Sequence, residues 1–185
     1  REGNRGEELD GKTIGIIGYG NNGRAFAKKL RGFEVNILAY DKYKSDFSDN
    51  LVKETTLLEL YKKADIISFH VPLNKETNYW ANDAFFSQLK NPIYLLNIAR
   101  GEIVDTKSLL EAIEKGQIKG AGLDVLEFEP SSFSPFLESL PVNIHKRLFD
   151  SKKIIFTPHI AGWTKESYYK LSNVLANKIQ SHFCL

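Results

Sequence analysis

Thr13-Ile-Gly-Ile-Ile-Gly-Tyr-Gly-Asn-Asn-Gly-Arg-Ala-Phe-Ala-Lys-Lys-Leu-Arg-Gly-Phe-Glu-Val-Asn-Ile-Leu-Ala-Tyr-Asp41 is the stretch that decides the fold. An apolar run, Thr13 to Ile17, leads into Gly18, Gly20 and Gly23. An amphipathic run from Asn22 to about Arg31 follows, and a second apolar run, Val35 to Tyr40, ends on Asp41. The pattern predicts strand, glycine turn, helix, strand, acid. That spacing suits a nucleotide pyrophosphate. Gly18 permits the tight turn, Gly20 lets backbone approach phosphate, and Gly23 lets helix pack close on strand. The helix N-terminus offers free N–H groups and a partial positive charge.

Outward from this stretch, strands and helices alternate. Asp10-Gly11 marks a turn before the first strand, and residues 1–10 are a charged lead-in. Residues 42–54 are polar and read as loop. Thr55 or Thr56 caps a short helix, Leu57 to Lys63, and Asp65 to Phe69 reads as a third strand. His70-Val-Pro-Leu73 is the turn after it, where Pro72 stops pairing. Asn82 or Asp83 caps a helix ending near Leu89, and Pro92 to Asn97 is a fourth strand. A helix begins at Asp105 or Thr106 and runs to about Lys115, with Gly116 ending it. Ile118 to Val125 is the fifth strand. Residues 127–151, with Pro130, Pro135 and Pro141, read as a long loop with a helical turn near Ile144 to Phe149. Ile154 to Thr157 is a sixth strand, and a final helix spans about Thr164 to His182. Mostly continuous apolar strands predict an α/β fold, a doubly wound parallel sheet covered on both faces, in the order 3-2-1-4-5-6.

Composition narrows the function. The chain has 185 residues, 42% apolar and 26% charged, which is the profile of one soluble globular domain. A net charge of +2 gives no argument for nucleic acid or a membrane surface. No apolar run approaches the ~18 residues of a transmembrane helix. Cys184 is the only cysteine, so a disulfide framework and a cysteine metal site are excluded, and a reducing, cytoplasmic setting fits. There is no Met, and nothing in the sequence explains its absence.

In such a sheet, ligands bind beyond the carboxyl ends of the strands. Asp41 there can accept from both ribose hydroxyls, and its carboxylate would repel a 2′-phosphate. That favours NAD over NADP, although Lys42 and Lys44 weaken the exclusion. Arg100, before Gly101, can clamp a carboxylate with its planar fork, or pair with an acid on the rim. His159 follows the sixth strand and is either structural or, if Glu129 meets it, a histidine whose tautomer a carboxylate fixes for proton exchange. Glu127 and Glu129 lie two residues apart in a loop that leaves their directions open. Asp124 can bond a nicotinamide carboxamide or cap a turn. Trp163 can wall a substrate pocket or simply pack, His70 shapes its turn, and His145 and His182 are surface residues.

Taken together, Gly-Tyr-Gly-Asn-Asn-Gly (18–23), His-Val-Pro-Leu (70–73), Asn-Ile-Ala-Arg-Gly-Glu-Ile-Val-Asp (97–105), Gly-Ala-Gly-Leu-Asp-Val-Leu-Glu-Phe-Glu-Pro (120–130) and Thr-Pro-His-Ile-Ala-Gly (157–162) resemble the NAD-binding domain of the D-isomer-specific 2-hydroxyacid dehydrogenases, phosphoglycerate dehydrogenase-like members included. The resemblance covers about residues 9 to 180. It implies a Rossmann domain over 11–182, with 1–10 a lead-in stub and 183–185 a tail. It implies that Arg100 binds the substrate's carboxylate or carbonyl, that Glu129 pairs with His159, and that His159 exchanges a proton with the keto oxygen. Gly18, Gly20, Asn21, Asn22, Gly23 and Asp41 would hold NAD, with Val71 and Pro72 at the adenosine end. Ile98, Ala99 and Asp124 would face the nicotinamide, and Arg100, His159 and Gly162 complete the cofactor-binding set. Ile98 departs from the family, which commonly has a polar side chain there, so only a backbone role carries over.

The activity implied is hydride transfer between NAD(H) and a small 2-hydroxy or 2-keto acid such as 3-phosphoglycerate, glycerate (hydroxypyruvate) or lactate, in a homodimer. The alternatives are an NAD-sensing corepressor-like binding protein and a nucleotide-binding scaffold without chemistry. In the family a second, substrate-binding domain is built from the segment before the dinucleotide domain plus the end of the chain. Only about ten residues precede the first strand, so the chain is expected to be a fragment, with a natural truncation as the alternative, that binds NAD with little turnover of its own.

Overall fold

The structure, a computed structural model, describes residues 5–127, 129 and 142–183. The expectations that involve Pro130, Pro135, Pro141, Cys184 and the side chain of His145 lie outside the described residues. The chain forms β1 (Thr13–Ile17), α1 (Asn21–Lys29), β2 (Asn36–Tyr40), β3 (Val52–Glu54), α2 (Leu57–Lys63), β4 (Ile66–Phe69) and α3 (Asp83–Gln88). It continues with β5 (Ile93–Asn97), α4 (Thr106–Glu114), β6 (Ile118–Leu123), α5 (Val142–Phe149), β7 (Ile154–Phe156) and α6 (Lys165–Phe183). All seven strands are parallel, in the order β3-β2-β1-β4-β5-β6-β7.

This is the doubly wound order, with one correction to the strand count. Residues 42–54 are not all loop, because Val52–Glu54 pairs beside β2. The run Asp65 to Phe69 is therefore the fourth strand, not the third, and Ile14↔Ile66 pairing puts it beside β1. β3 escapes a pattern reading for a physical reason. It has three residues, and only Val52 is buried.

Local chemistry sets the helix ends. Thr56 Oγ1 accepts from the Glu59 amide at 3.3 Å, opening α2. Asn82 Oδ1 accepts from the Ala84 and Phe85 amides to open α3, and Asp105 Oδ1 accepts from the Ser108 amide to open α4. Such caps satisfy amides that a helix start leaves free. Gly116, at φ +75°, ends α4.

Alternation along the strands splits the core in two. Ile17, Ile67, Phe69, Ile93, Leu95 and Leu123 pack under α2–α5 through residues such as Leu60, Phe86, Leu109 and Leu148. Ile14, Ile16, Ile37, Ala39 and Val52 pack under α1 through Ala27 and Leu30. This second layer stops short. Past β5, residues Tyr94, Leu96, Gly120, Gly122 and Ile155 line an open groove of about 500 Å³, and Ile155 is 75% exposed. α6 buries none of its residues. The expected cover on both faces is thus incomplete over β5–β7 among the described residues.

Candidate active site

β1 delivers its glycine turn to the carboxyl edge of the sheet. Gly18 has φ +95°, and its amide donates to the Tyr40 carbonyl at 2.8 Å, tying the turn to β2. A Cβ on Gly18 would sit 2.7 Å from the His70 carbonyl oxygen, and one on Gly23 would sit 2.1 Å from the Gly18 carbonyl oxygen. Both positions are closed to any side chain. Gly20 is the opposite case, since a Cβ there meets nothing within 4 Å. Gly20 also caps α1 without a side-chain hydrogen bond, and no acid occupies the first turn. The amides of Asn21, Asn22 and Gly23 thus head a helix whose start is open to an anion. These residues fit a dinucleotide pyrophosphate.

Asp41 stands at the end of β2 with its carboxylate fixed by backbone. Oδ2 accepts from the Tyr19 amide at 2.8 Å and Oδ1 from the Tyr43 amide at 3.0 Å. It edges a pocket of about 400 Å³ with Gly18, Gly20, Val71, Pro72 and Trp80. Gly18, Gly20, Asp41, Val71 and Pro72, far apart in sequence, therefore meet in one cavity.

His70 lines the same pocket, and its Nε2 lies 2.9 Å from Ser68 Oγ. Its Nδ1 is buried without a hydrogen-bond partner, and burial pushes its pKa down from 6.5 to about 4. The folded form therefore resists a proton that the unfolded chain accepts. Stability is expected to fall as pH drops from about 6.5 toward 4, and His70→Gln to remove that part of the slope; urea melts across this range check it.

A second cleft, of about 460 Å³, opens across the glycine turn from the first. Asn22, Ile98, Arg100, Asp124, His159, Gly162 and Trp163 line it. His159 Nδ1 lies 2.9 Å from Glu129 Oε2, although the two residues are 30 positions apart. Occupation of Nδ1 leaves Nε2 for another partner. Glu129 is itself anchored, because its Oε1 accepts from the Leu126 amide at 2.8 Å. Glu127 turns elsewhere. Its Oε2 accepts from the Thr106 amide, and its carboxylate holds the Tyr79 hydroxyl, raising that phenol's pKa.

His159 sits at φ +54°, a left-handed backbone that a histidine adopts at a cost. Asp124 holds it there. The Asp124 carbonyl accepts from the His159 amide at 2.8 Å. Its Oδ1 accepts from Thr157 Oγ1 and the Ile160 amide, and its Oδ2 from the Ala161 amide. Burial pushes the Asp124 carboxyl up, but bonds from Thr157, Ala161 and Ile160 outweigh it and hold it below the usual value. Of the two readings left open for Asp124, the turn-capping one describes its contacts.

Arg100 is exposed on the cleft wall, with its Nη1 donating to the Ala99 carbonyl at 2.6 Å. Wholly buried Asn97 organises this loop. Its Nδ2 donates to the Arg100 carbonyl and its Oδ1 accepts from the Ala99 amide. Sequence reasoning placed Asn97 at a strand end and gave it no role. Ile98 points its side chain outward at 38% exposure, while Ala99 is buried. Trp163, 75% exposed, joins the cleft wall and meets Tyr168 edge-on.

This architecture is found in known proteins. A family model described as D-isomer specific 2-hydroxyacid dehydrogenase, NAD binding domain, matches residues 1–161. A glyoxylate reductase of Thermofilum pendens is 40% identical over 177 residues, covering 94% of this chain and 49% of the relative. A D-lactate dehydrogenase of Lactiplantibacillus plantarum is 34% identical over 174 residues, covering 92% of this chain and 52% of its own. Among solved structures, the NAD-complexed D-isomer specific 2-hydroxyacid dehydrogenase of Lactobacillus delbrueckii ssp. bulgaricus superposes with a TM-score of 0.82 at 29% identity, over 98% of this chain and 56% of that one. The chain belongs to the D-isomer specific 2-hydroxyacid dehydrogenase family, within its NAD-binding domain. It spans about half the length of the curated relatives it matches.

Proposed function

We propose that the protein carrying this chain transfers hydride between NAD(H) and a small 2-keto or 2-hydroxy acid. The observation that carries this reading is His159, held by Glu129 at 2.9 Å, in one cleft with Arg100 and with Asn22 at the anion-ready start of α1. Gly18, Gly20, Asn21, Asn22, Gly23 and Asp41 hold the dinucleotide, with Val71 and Pro72 at its adenosine end. Ile98, Ala99, Asp124 and Gly162 border the nicotinamide. NAD, when bound, supplies the hydride carrier.

The protein's own residues do the rest. Arg100 pairs its planar guanidinium with the substrate carboxylate and so fixes which carbon faces the nicotinamide. His159 Nε2 gives its proton to the keto oxygen during reduction and takes it back during oxidation. Glu129 holds Nδ1 and keeps the ring in the tautomer that leaves Nε2 for substrate. Asp124 sets the backbone turn that aims the ring.

Substrates the size of glyoxylate, pyruvate, hydroxypyruvate or phosphohydroxypyruvate suit this chemistry. Residues 11–182 form the dinucleotide-binding unit of this reading. Homodimer assembly and a cytoplasmic location complete it; the open apolar groove over β5–β7 and the single cysteine agree with them. The test is calorimetric titration with NAD⁺, followed by NADH oxidation against a panel of those keto acids. NAD⁺ binding with turnover of at least one keto acid supports the proposal. Failure to bind NAD⁺ overturns it at its root.

A further inference from the structure

Two lysines follow Asp41, and either one would attract a 2′-phosphate placed at the end of β2. The structure accounts for both. Lys44 Nζ donates to the Tyr19 carbonyl at 3.2 Å. Lys42 Nζ reaches across the pocket mouth to Glu76 Oε1 at 2.7 Å, and the Tyr43 hydroxyl donates to Glu76 Oε2 at 2.5 Å. One glutamate from the loop after β4 thus straps down two residues from the loop after β2. Glu76, Lys42, Tyr43 and Asp41 all line the same pocket.

Glu76 is not placed by chance collapse of a long side chain. Its loop is built around buried Thr77, whose Oγ1 donates to the Pro72 carbonyl at 2.6 Å and accepts from the Asn74 amide at 2.9 Å. Asn74 Oδ1 in turn accepts from the amides of Glu76 and Thr77 at 2.8 and 3.1 Å. This local turn fixes where the Glu76 side chain starts.

We propose that Glu76 is a selectivity-determining residue for the cofactor, excluding 2′-phosphorylated dinucleotides by occupying Lys42 in the pocket that Asp41 also lines. The charge balance shows why it is needed. Without Glu76, two lysines outnumber Asp41 at the rim and favour a phosphate. With it, the four charges cancel, and Lys42 is already paired. A ribose with free hydroxyls asks nothing of Lys42 and is unaffected. The inference rests on the NAD reading of this pocket, and Glu76 acts through Lys42, as a positioning residue.

The test measures Kd for NAD⁺ and NADP⁺ by calorimetry, at low and at high salt. Glu76→Gln is expected to improve NADP⁺ binding about fivefold relative to NAD⁺, the scale of a single exposed ion pair. The gain should shrink at high salt, because it is electrostatic. Adding Lys42→Ala to Glu76→Gln should abolish the gain. Lys42→Ala alone breaks the same pair without freeing a cation, so it should give no gain. A merely structural role for Glu76 would weaken both cofactors together and leave their ratio and its salt dependence unmoved; that result overturns the inference while NAD⁺ binding stands. A gain that survives Lys42→Ala also overturns it. An unaltered protein that binds neither dinucleotide overturns the NAD reading and this inference with it.

Discussion

Replacing His159 with Asn is expected to lower kcat for keto-acid reduction by about a thousandfold while leaving the Kd for NAD⁺ within about twofold. The two halves of this expectation come from different parts of the molecule. The glycine turn is made by β1, α1 and the end of β2, and none of its hydrogen bonds involves His159. The proton, by contrast, has one donor in the proposed mechanism. Asn at 159 fits the left-handed backbone at least as well as histidine does, so the turn held by Asp124 should persist. The variant therefore isolates the proton transfer. Glu129→Gln should fall between the two, since an amide offers Nδ1 a donor or a weaker acceptor in place of a carboxylate and so competes with the tautomer needed. Stopped-flow kinetics on the active protein, with NAD⁺ titrations beside them, check both variants. Turnover by His159→Asn within about threefold of the unaltered protein would sink the proposed role of the dyad.

How much of this was legible in the sequence depends on how local each feature is. The turn from Gly18 to Gly23 and the acid at 41 were readable, because strand, turn and helix are contiguous and each glycine has a local reason. Thr56, Asn82 and Asp105 were readable as caps on the same ground. β3 was not, because three residues with one apolar contact carry no period. Without β3 the strand count shifts, and with it the place of β4, which the pairing with β1 fixes. Glu127 and Glu129 were indistinguishable in sequence, because no period governs a loop, and the structure sends them to opposite partners. Asp124 had the right position and two open readings, because the groups that decide between them, Thr157 and the amides of Ile160 and Ala161, lie more than 30 positions away and are brought near only by folding. Glu76 carries one local signal. Asn74-Lys-Glu-Thr77 is a self-bonding turn that aims its third residue, but nothing in the sequence says at what. The uncovered groove over β5–β7 was hidden for a related reason. A helical pattern such as that of α6 shows that an apolar side exists, not which surface it covers.

Gly101→Ala is expected to destabilise the fold by about 3 kcal/mol, as overpacking against an immovable neighbour does. Gly101 opens a short 3-10 turn, Gly101–Ile103, directly after Arg100. A Cβ there would lie 1.9 Å from the Leu126 carbonyl oxygen, 2.1 Å from its carbon and 2.5 Å from the Glu127 nitrogen. Every one of these atoms is backbone, so no rotamer change relieves the contact. The segments pressed together also carry the site. Arg100 precedes Gly101, while Leu126 donates its amide to Glu129, the partner of His159. Separating them to admit a methyl group must move either the guanidinium or the carboxylate. For a chain of this size about 3 kcal/mol corresponds to a Tm lower by roughly 6–12 °C. A fall in kcat should accompany it even well below the new Tm. Gly20→Ala supplies the contrast. With nothing within 4 Å of its Cβ and an ordinary backbone, it should melt close to the unaltered protein. Its methyl group would instead stand where the pyrophosphate approaches the backbone, so it should weaken NAD⁺ binding by about tenfold. Calorimetric melting and NAD⁺ titration of the two variants separate the glycine that the fold needs from the glycine that the ligand needs. Equal Tm losses in both, or none in Gly101→Ala, would refute that division.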